Sequence, residues 1–110
     1  MQIRLVKKKT IEQFILRHPD SKRGFDDWFA KLKRSDWTMP VHIIENFNTA
    51  DILGNGSLRV VFNIAGSKYR MICKYWFGVK CARLYIKWIG THAEYDRLCS
   101  ERLQYTINRF

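Results

Sequence analysis

The sequence predicts an α+β domain. Helical patterns occupy its first half, alternating strands fill residues 58 to 89, and a capping sequence at residues 91 to 94 opens one more helix. At 110 residues the chain reads as one domain, residues 1–110, with room for a core and little for a second. A hydrophobic content of 46% with 15% aromatics excludes a disordered tail as its main body.

Met1 to Val6 sets Ile3 and Leu5 between Gln2 and Arg4, which suits a short first strand. Lys7, Lys8 and Lys9 follow as a solvated linker. Thr10 and Gln13 have the Thr-x-x-Gln form of a capping box and predict a helix that Pro19 stops. Phe25, Trp28, Phe29 and Leu32 fall at i, i+3, i+4 and i+7, the stripe of a helix pressed on a core, so these aromatics are assigned packing and no chemistry. Pro40 to Phe47 fits a short helix, and Asp51 to Ser57, with Gly54-Asn55-Gly56, reads as a loop.

From Leu58 to Ile89 the pattern is that of strands. A two-residue turn at Gly66-Ser67 sets Ala65 opposite Lys68 and pairs Ile64 with Tyr69, Asn63 with Arg70, Phe62 with Met71 and Val60 with Cys73. One face is then apolar. The other carries Arg59, Val61, Asn63 and Ala65 against Lys74, Ile72, Arg70 and Lys68. The third strand repeats the division, Leu84, Ile86 and Trp88 alternating with Arg83, Tyr85 and Lys87. Thr91 and Glu94 form a capping box for a last helix that buries Tyr95, Leu98 and the stem of Arg102, and residues 104 to 110 fray.

Twenty Lys and Arg against ten Asp and Glu leave +10, with ten basic and three acidic residues after position 56. A polyanion is the matching partner, and nucleic acid fits better than membrane because no stretch approaches about 20 apolar residues. Each cation singly is equally an ordinary solvated residue. Cys73, Cys81 and Cys99 show neither Cys-x-x-Cys nor zinc spacing; they read as reduced thiols in a cytoplasmic protein, and no metal or cofactor is expected. No secretory signal is read at residues 1 to 9.

Metal-free RNA cleavage needs a base for the 2′-hydroxyl, cations for the phosphorane charge and a donor for the leaving 5′-oxygen. Gly90-Thr91-His92-Ala93-Glu94-Tyr95-Asp96, directly after the basic strands, supplies a histidine and a tyrosine one helical turn apart. His92 falls at the helix start, where the dipole opposes positive charge and leaves imidazole available as a base. Asp96 stands at i+4 to orient it. Arg70 and Lys68 are the charge-stabilising candidates, Lys87 the phosphate-binding one, and Tyr95 the alternative base. Glu94 is a cap, and His18 and His42 receive no role. The geometric expectation is that Lys68, Arg70 and Lys87 converge on His92 and Tyr95.

Val61-Phe62-Asn63-Ile64, Gly66, Lys68-Tyr69-Arg70-Met71, Ile86-Lys87-Trp88-Ile89 and Thr91-His92-Ala93-Glu94-Tyr95-Asp96 together resemble the HigB toxin family of the RelE-like ribonuclease superfamily. The resemblance is close over Leu58 to Leu98 and looser before it. It implies a small, twisted, mainly antiparallel sheet with N-terminal helices on one face, the cationic face opposite, and a C-terminal helix. It also implies a toxin of a type II toxin–antitoxin pair that cuts messenger RNA on the translating ribosome and arrests growth. Its partner would be a HigA-like helix-turn-helix antitoxin, through which alone it would touch DNA. The family pattern carries onto Asn63, Lys68, Tyr69, Arg70, His92, Tyr95 and Asp96, with Lys74, Arg83 and Lys87 as further RNA-binding candidates. Ser67 departs from the pattern and bears on the turn type. The alternative is a non-catalytic RNA- or ribosome-binding module in which Tyr69, Tyr85 and Trp76 stack bases. Direct DNA binding lacks a recognition-helix pattern.

Overall fold

The computed structural model describes residues 2–110, so Met1 of the expected first strand lies outside the described residues. The elements run β1 (Gln2–Val6), α1 (Lys8–Arg17), a 3-10 turn (Pro19–Ser21), α2 (Lys22–Lys33), α3 (Pro40–Asn46), β2 (Asp51–Leu53), β3 (Arg59–Ile64), β4 (Tyr69–Phe77), β5 (Cys81–Thr91) and α4 (His92–Ser100). The five strands form one sheet in the order β1-β5-β4-β3-β2. It is antiparallel throughout except where β1 joins β5 in parallel. The protein is thus α+β with a mainly antiparallel sheet.

The first helix starts earlier than its capping signal suggests. Lys7 turns the chain out of β1 with φ +71°, the helix begins at Lys8, and the Thr10 N–H is already bonded to the Lys7 carbonyl at 2.9 Å. Thr10 is therefore inside the first turn and caps nothing. Pro19 does end the helix and opens the 3-10 turn. In α2 the apolar stripe holds as expected: Phe25, Trp28 and Leu32 are buried.

Helices α1, α2 and α3 cover one face of the sheet. Ile11, Phe14, Phe25, Trp28, Leu32 and Ile43 pack there on Val60, Phe62, Ile64, Met71, Cys73, Leu84 and Ile86. The β3–β4 register is the expected one at every pair from Arg59↔Lys74 to Ile64↔Tyr69. Its turn is closed by the Lys68 N–H on the Ala65 carbonyl, and Gly66 at φ +69° supplies the left-handed residue. Ala65 is left-handed as well, at φ +55°, which nothing in its side chain favours. Close packing accompanies it: a Cβ on Gly24 of α2 would lie 2.5 Å from the Ala65 nitrogen.

Two departures reshape the opposite face. Asp51–Leu53, expected as loop, is the edge strand β2, paired with Val61, Val60 and Arg59. In β5 the alternation breaks: Ile86 pairs with Cys73 but Trp88 pairs with Ile72, so a β-bulge leaves Lys87 without a partner on β4. Trp88 consequently crosses to the cationic face. There it builds a second core with Leu53, Val61, Ile72 and Leu98, flanked by Tyr95, Tyr105 and Ile107.

The C-terminal segment does not fray. The Arg59 guanidinium donates to the carbonyls of Ile107 at 2.7 Å and Gln104 at 3.2 Å, and the Arg109 N–H donates to the Lys87 carbonyl at 2.9 Å. Arg59, only 6% exposed, is a structural clamp rather than a free cation. Arg102, expected to lay its stem on the core, is instead exposed and turns the chain out of α4 at φ +58°.

Candidate nucleic-acid interface

Helix α4 begins where β5 ends, and its start is held in two ways. Thr91 Oγ1 accepts from the Glu94 N–H at 3.2 Å while the Thr91 N–H donates to Glu94 Oε1 at 2.7 Å, the expected reciprocal cap. The His92 N–H donates to the Lys68 carbonyl at 3.0 Å, which ties the helix start to the β3–β4 turn. In the sheet Arg70 lies directly opposite Gly90, two residues before His92. The end of β5, the start of β4 and the first turns of α4 therefore meet at one place.

Four of the expected residues gather there. The His92 imidazole is half exposed, with Nδ1 3.5 Å from Asp96 Oδ1, close enough for charge pairing and at the outer limit of a hydrogen bond. Tyr95 lies tilted against Trp88 with ring centroids 6.1 Å apart. Its phenol is held well above the usual tyrosine range, first by burial, then by hydrogen bonding with Cys99 and by the negative charge of Asp51. The charge of Arg70 reaches the same phenol and acts in the opposite sense. The Arg70 guanidinium donates to the Ser67 carbonyl at 2.9 Å. Arg70, His92, Tyr95 and Asp96 thus combine a cation, an imidazole, a phenol and a carboxylate. Asp51 joins them unforeseen; its signal was hidden by the loop-like composition around Gly54-Asn55-Gly56.

Other expected members lie elsewhere. The Lys68 ammonium pairs with Asp20 and lies 5.7 Å over the Tyr69 ring. That bond holds the Asp20 carboxyl below its usual range and the Lys68 ammonium above its own. Tyr69 is buried against Phe14 and His18 on the helix-covered face, and its hydroxyl donates to Asp20 Oδ1 at 2.7 Å. A ring so placed has no free face for a base, which corrects the expectation that Tyr69 stacks. Asn63 stands opposite Arg70 and lines a cleft with Gly24, Asp27 and Lys31 of α2.

Lys87 does not converge on His92 and Tyr95 either. The bulge and the packed rings of Trp88 and Tyr95 separate them. Lys87 instead joins Lys74, Trp76, Arg83 and Tyr85 around an open concavity of about 440 Å³ farther along the sheet. Burial first, then crowding by Arg59, Lys74 and Lys7, holds its ammonium below the usual lysine range. The cationic face therefore carries two separate groups with the second core between them.

Among the described residues no cluster of three His, Cys, Asp or Glu is arranged to hold a metal ion, and no helix is long and apolar enough to cross a membrane. Cys73, Cys81 and Cys99 are free, and Cys73 alone is fully buried.

A family model described as HigB_toxin, the RelE-like toxic component of a toxin–antitoxin system, matches residues 21–98. That span includes α2, the strands β2 to β5 and most of α4. None of the curated proteins compared matches the chain.

Proposed function

From the premise that this chain belongs to the HigB toxin family, the RelE-like toxic components of toxin–antitoxin systems, we propose that it is a metal-independent endoribonuclease acting on messenger RNA at the translating ribosome. The observation that carries this reading is the meeting of Arg70, from β4, with His92 and Tyr95, from the first turns of α4, on an accessible part of a chain with net charge +10.

In this reading His92, oriented by Asp96, takes the 2′-hydroxyl proton, and the 2′-oxygen attacks the adjacent phosphorus. Arg70 stabilises the phosphorane charge. The phenol of Tyr95, kept protonated, donates to the departing 5′-oxygen. A 2′,3′-cyclic phosphate and a free 5′-hydroxyl result. Lys68 adds positive field once RNA draws it from Asp20, and Lys74, Arg83 and Lys87 hold the backbone of the strand. The protein acts in the cytoplasm, where its ribosomal target lies.

A toxin of this family implies an antitoxin, and a HigA-like helix-turn-helix protein is the proposed partner, carrying any contact with operator DNA. The second reading, a basic module that binds RNA without cutting it, is favoured by the involvement of Lys68 and Arg59 in internal contacts. Mapping message ends after induced expression separates the two. New ends bearing cyclic or 3′-phosphate, absent with Arg70→Ala, are expected; bound but intact message supports the module instead.

A further inference from the structure

Trp76 and Tyr85 stand on the cationic face at a place the cleavage chemistry does not use. Trp76 pairs with Arg83 across β4 and β5, and the next pair along that face is Lys74 with Tyr85. Aromatic thus faces cation across each pair and along each strand, with the two rings on one diagonal and two cations on the other, at the spacing of neighbouring side chains on a sheet. Lys87 adds a third charge, its ammonium 5.9 Å from the centre of the Tyr85 ring. The hollow between them is open and lined by no aliphatic side chain.

That arrangement selects its ligand by shape and charge. Two ring faces without aliphatic filling suit flat π-systems better than leucine-like side chains, and cations beside each ring suit a phosphate on either side of a base. A duplex keeps its base faces covered, so the matching polyanion is single-stranded. Six residues of strand, about 20 Å, separate Arg70 from Trp76, and the Trp88–Tyr95 packing lies between.

We propose that this concavity is a second, non-cleaving subsite that holds unpaired bases of the RNA strand by stacking on Trp76 and Tyr85, away from the scissile bond. The assignment rests on the reading of RNA as the substrate and extends it to how the strand is gripped.

The protein carries a natural reporter. Trp76 is 55% exposed, whereas Trp28, Trp37 and Trp88 are 3%, 0% and 3% exposed. Titration with single-stranded oligouridylate of about eight nucleotides should quench tryptophan fluorescence saturably, and an RNA duplex of equal length should not. Trp76→Ala and Tyr85→Ala should each weaken oligonucleotide binding about tenfold, read by anisotropy of labelled RNA. Trp76→Phe keeps a ring and should retain most of the binding while losing the quench. The melting temperature of each variant, read by circular dichroism, excludes unfolding as the cause.

Equal binding of duplex and single strand, wild-type binding by both alanine variants, or equal competition by polyglutamate would each overturn the subsite. The Arg70→Ala protein should still be quenched. Quenching with message left intact on ribosomes would remove the cleavage reading and leave the subsite standing. Normal cleavage without quenching would do the reverse.

Discussion

The indole of Trp88 lies across the α-carbon of Gly90, so close that a Cβ there would sit 2.5 Å from ring atoms Cη2 and Cζ2. Gly90 is also the residue directly opposite Arg70. The glycine that opens the Gly90–Asp96 sequence is thus required by packing: it makes room for the aromatic that builds the second core. Gly90→Ala is expected to destabilise the protein by about 1–3 kcal/mol, the usual cost of forcing an extra methyl into a packed site. Trp88 is buried and cannot swing aside cheaply. Urea unfolding checks this, and an unchanged midpoint would show that the indole yields.

Tyr95→Phe separates packing from proton donation. The ring stays against Trp88, so the melting temperature should hold, while cleavage should fall by roughly 10²–10⁴-fold for loss of a positioned donor. Because burial keeps the wild-type phenol protonated beyond its ordinary range, no loss of activity should appear as pH rises through 10 on account of this residue. A wild-type rate that collapsed there, with Tyr95→Phe showing no such collapse, would contradict the raised pKa and leave the donor role standing, whereas a Tyr95→Phe protein that cleaved at the parent rate would contradict the donor role.

Arg59→Met should free the C-terminal segment. Two charge-assisted hydrogen bonds are lost from a buried site, a cost of about 1.5–3 kcal/mol each at most, since the released carbonyls regain water. Faster amide exchange at Arg109, whose N–H is bonded to the Lys87 carbonyl, is the expected signature. Exchange as slow as in the parent protein would mean that Tyr105 and Ile107 hold the segment without the arginine.

Asp20→Asn tests the tie between the 3-10 turn and the β3–β4 turn. The carboxyl of Asp20 is held below the ordinary 3.8 of an aspartate, chiefly by Lys68 and then by Tyr69, so its contribution to stability is present above that pH and lost as pH falls through the folded value. The Lys68 ammonium, held above 10.5 by the same pair, loses that contribution only as pH rises through its own raised value. The variant should therefore melt lower than the parent at pH 7, with the gap closing as pH falls below the ordinary carboxylate range and through the lowered value of the folded protein. A constant gap across that range would exclude the ion pair as its origin. In the same variant Lys68 is freed, and tighter RNA binding is expected.

Much of this structure is legible in the sequence. Hairpin register followed from alternation and one glycine, because a one-residue slip would have turned Phe62 and Met71 out of the core. The cap at Thr91 was readable because its two partners are three residues apart. Thr10 carried the same local signal and failed, since the turn at Lys7 had already started the helix. That Arg70 lies beside the start of the last helix depends on the β4–β5 ladder, whose register the long connection after Trp76 does not reveal in the sequence.

By itself, the order of residues determined the apolar face of β3 and β4, the start of the last helix and the concentration of positive charge after position 56: these depend on neighbours in sequence or across one turn. Tertiary structure alone decided that Trp88 changes face, that Asp20 takes both Lys68 and the Tyr69 hydroxyl, and that Arg59 clamps the C-terminal segment. The bulge in β5 inserts one residue at a point that the alternation of that strand does not mark, and contacts such as Arg59 to Ile107 span 48 residues. Their formation depends on which surfaces the folded sheet brings together, a matter that local alternation does not encode.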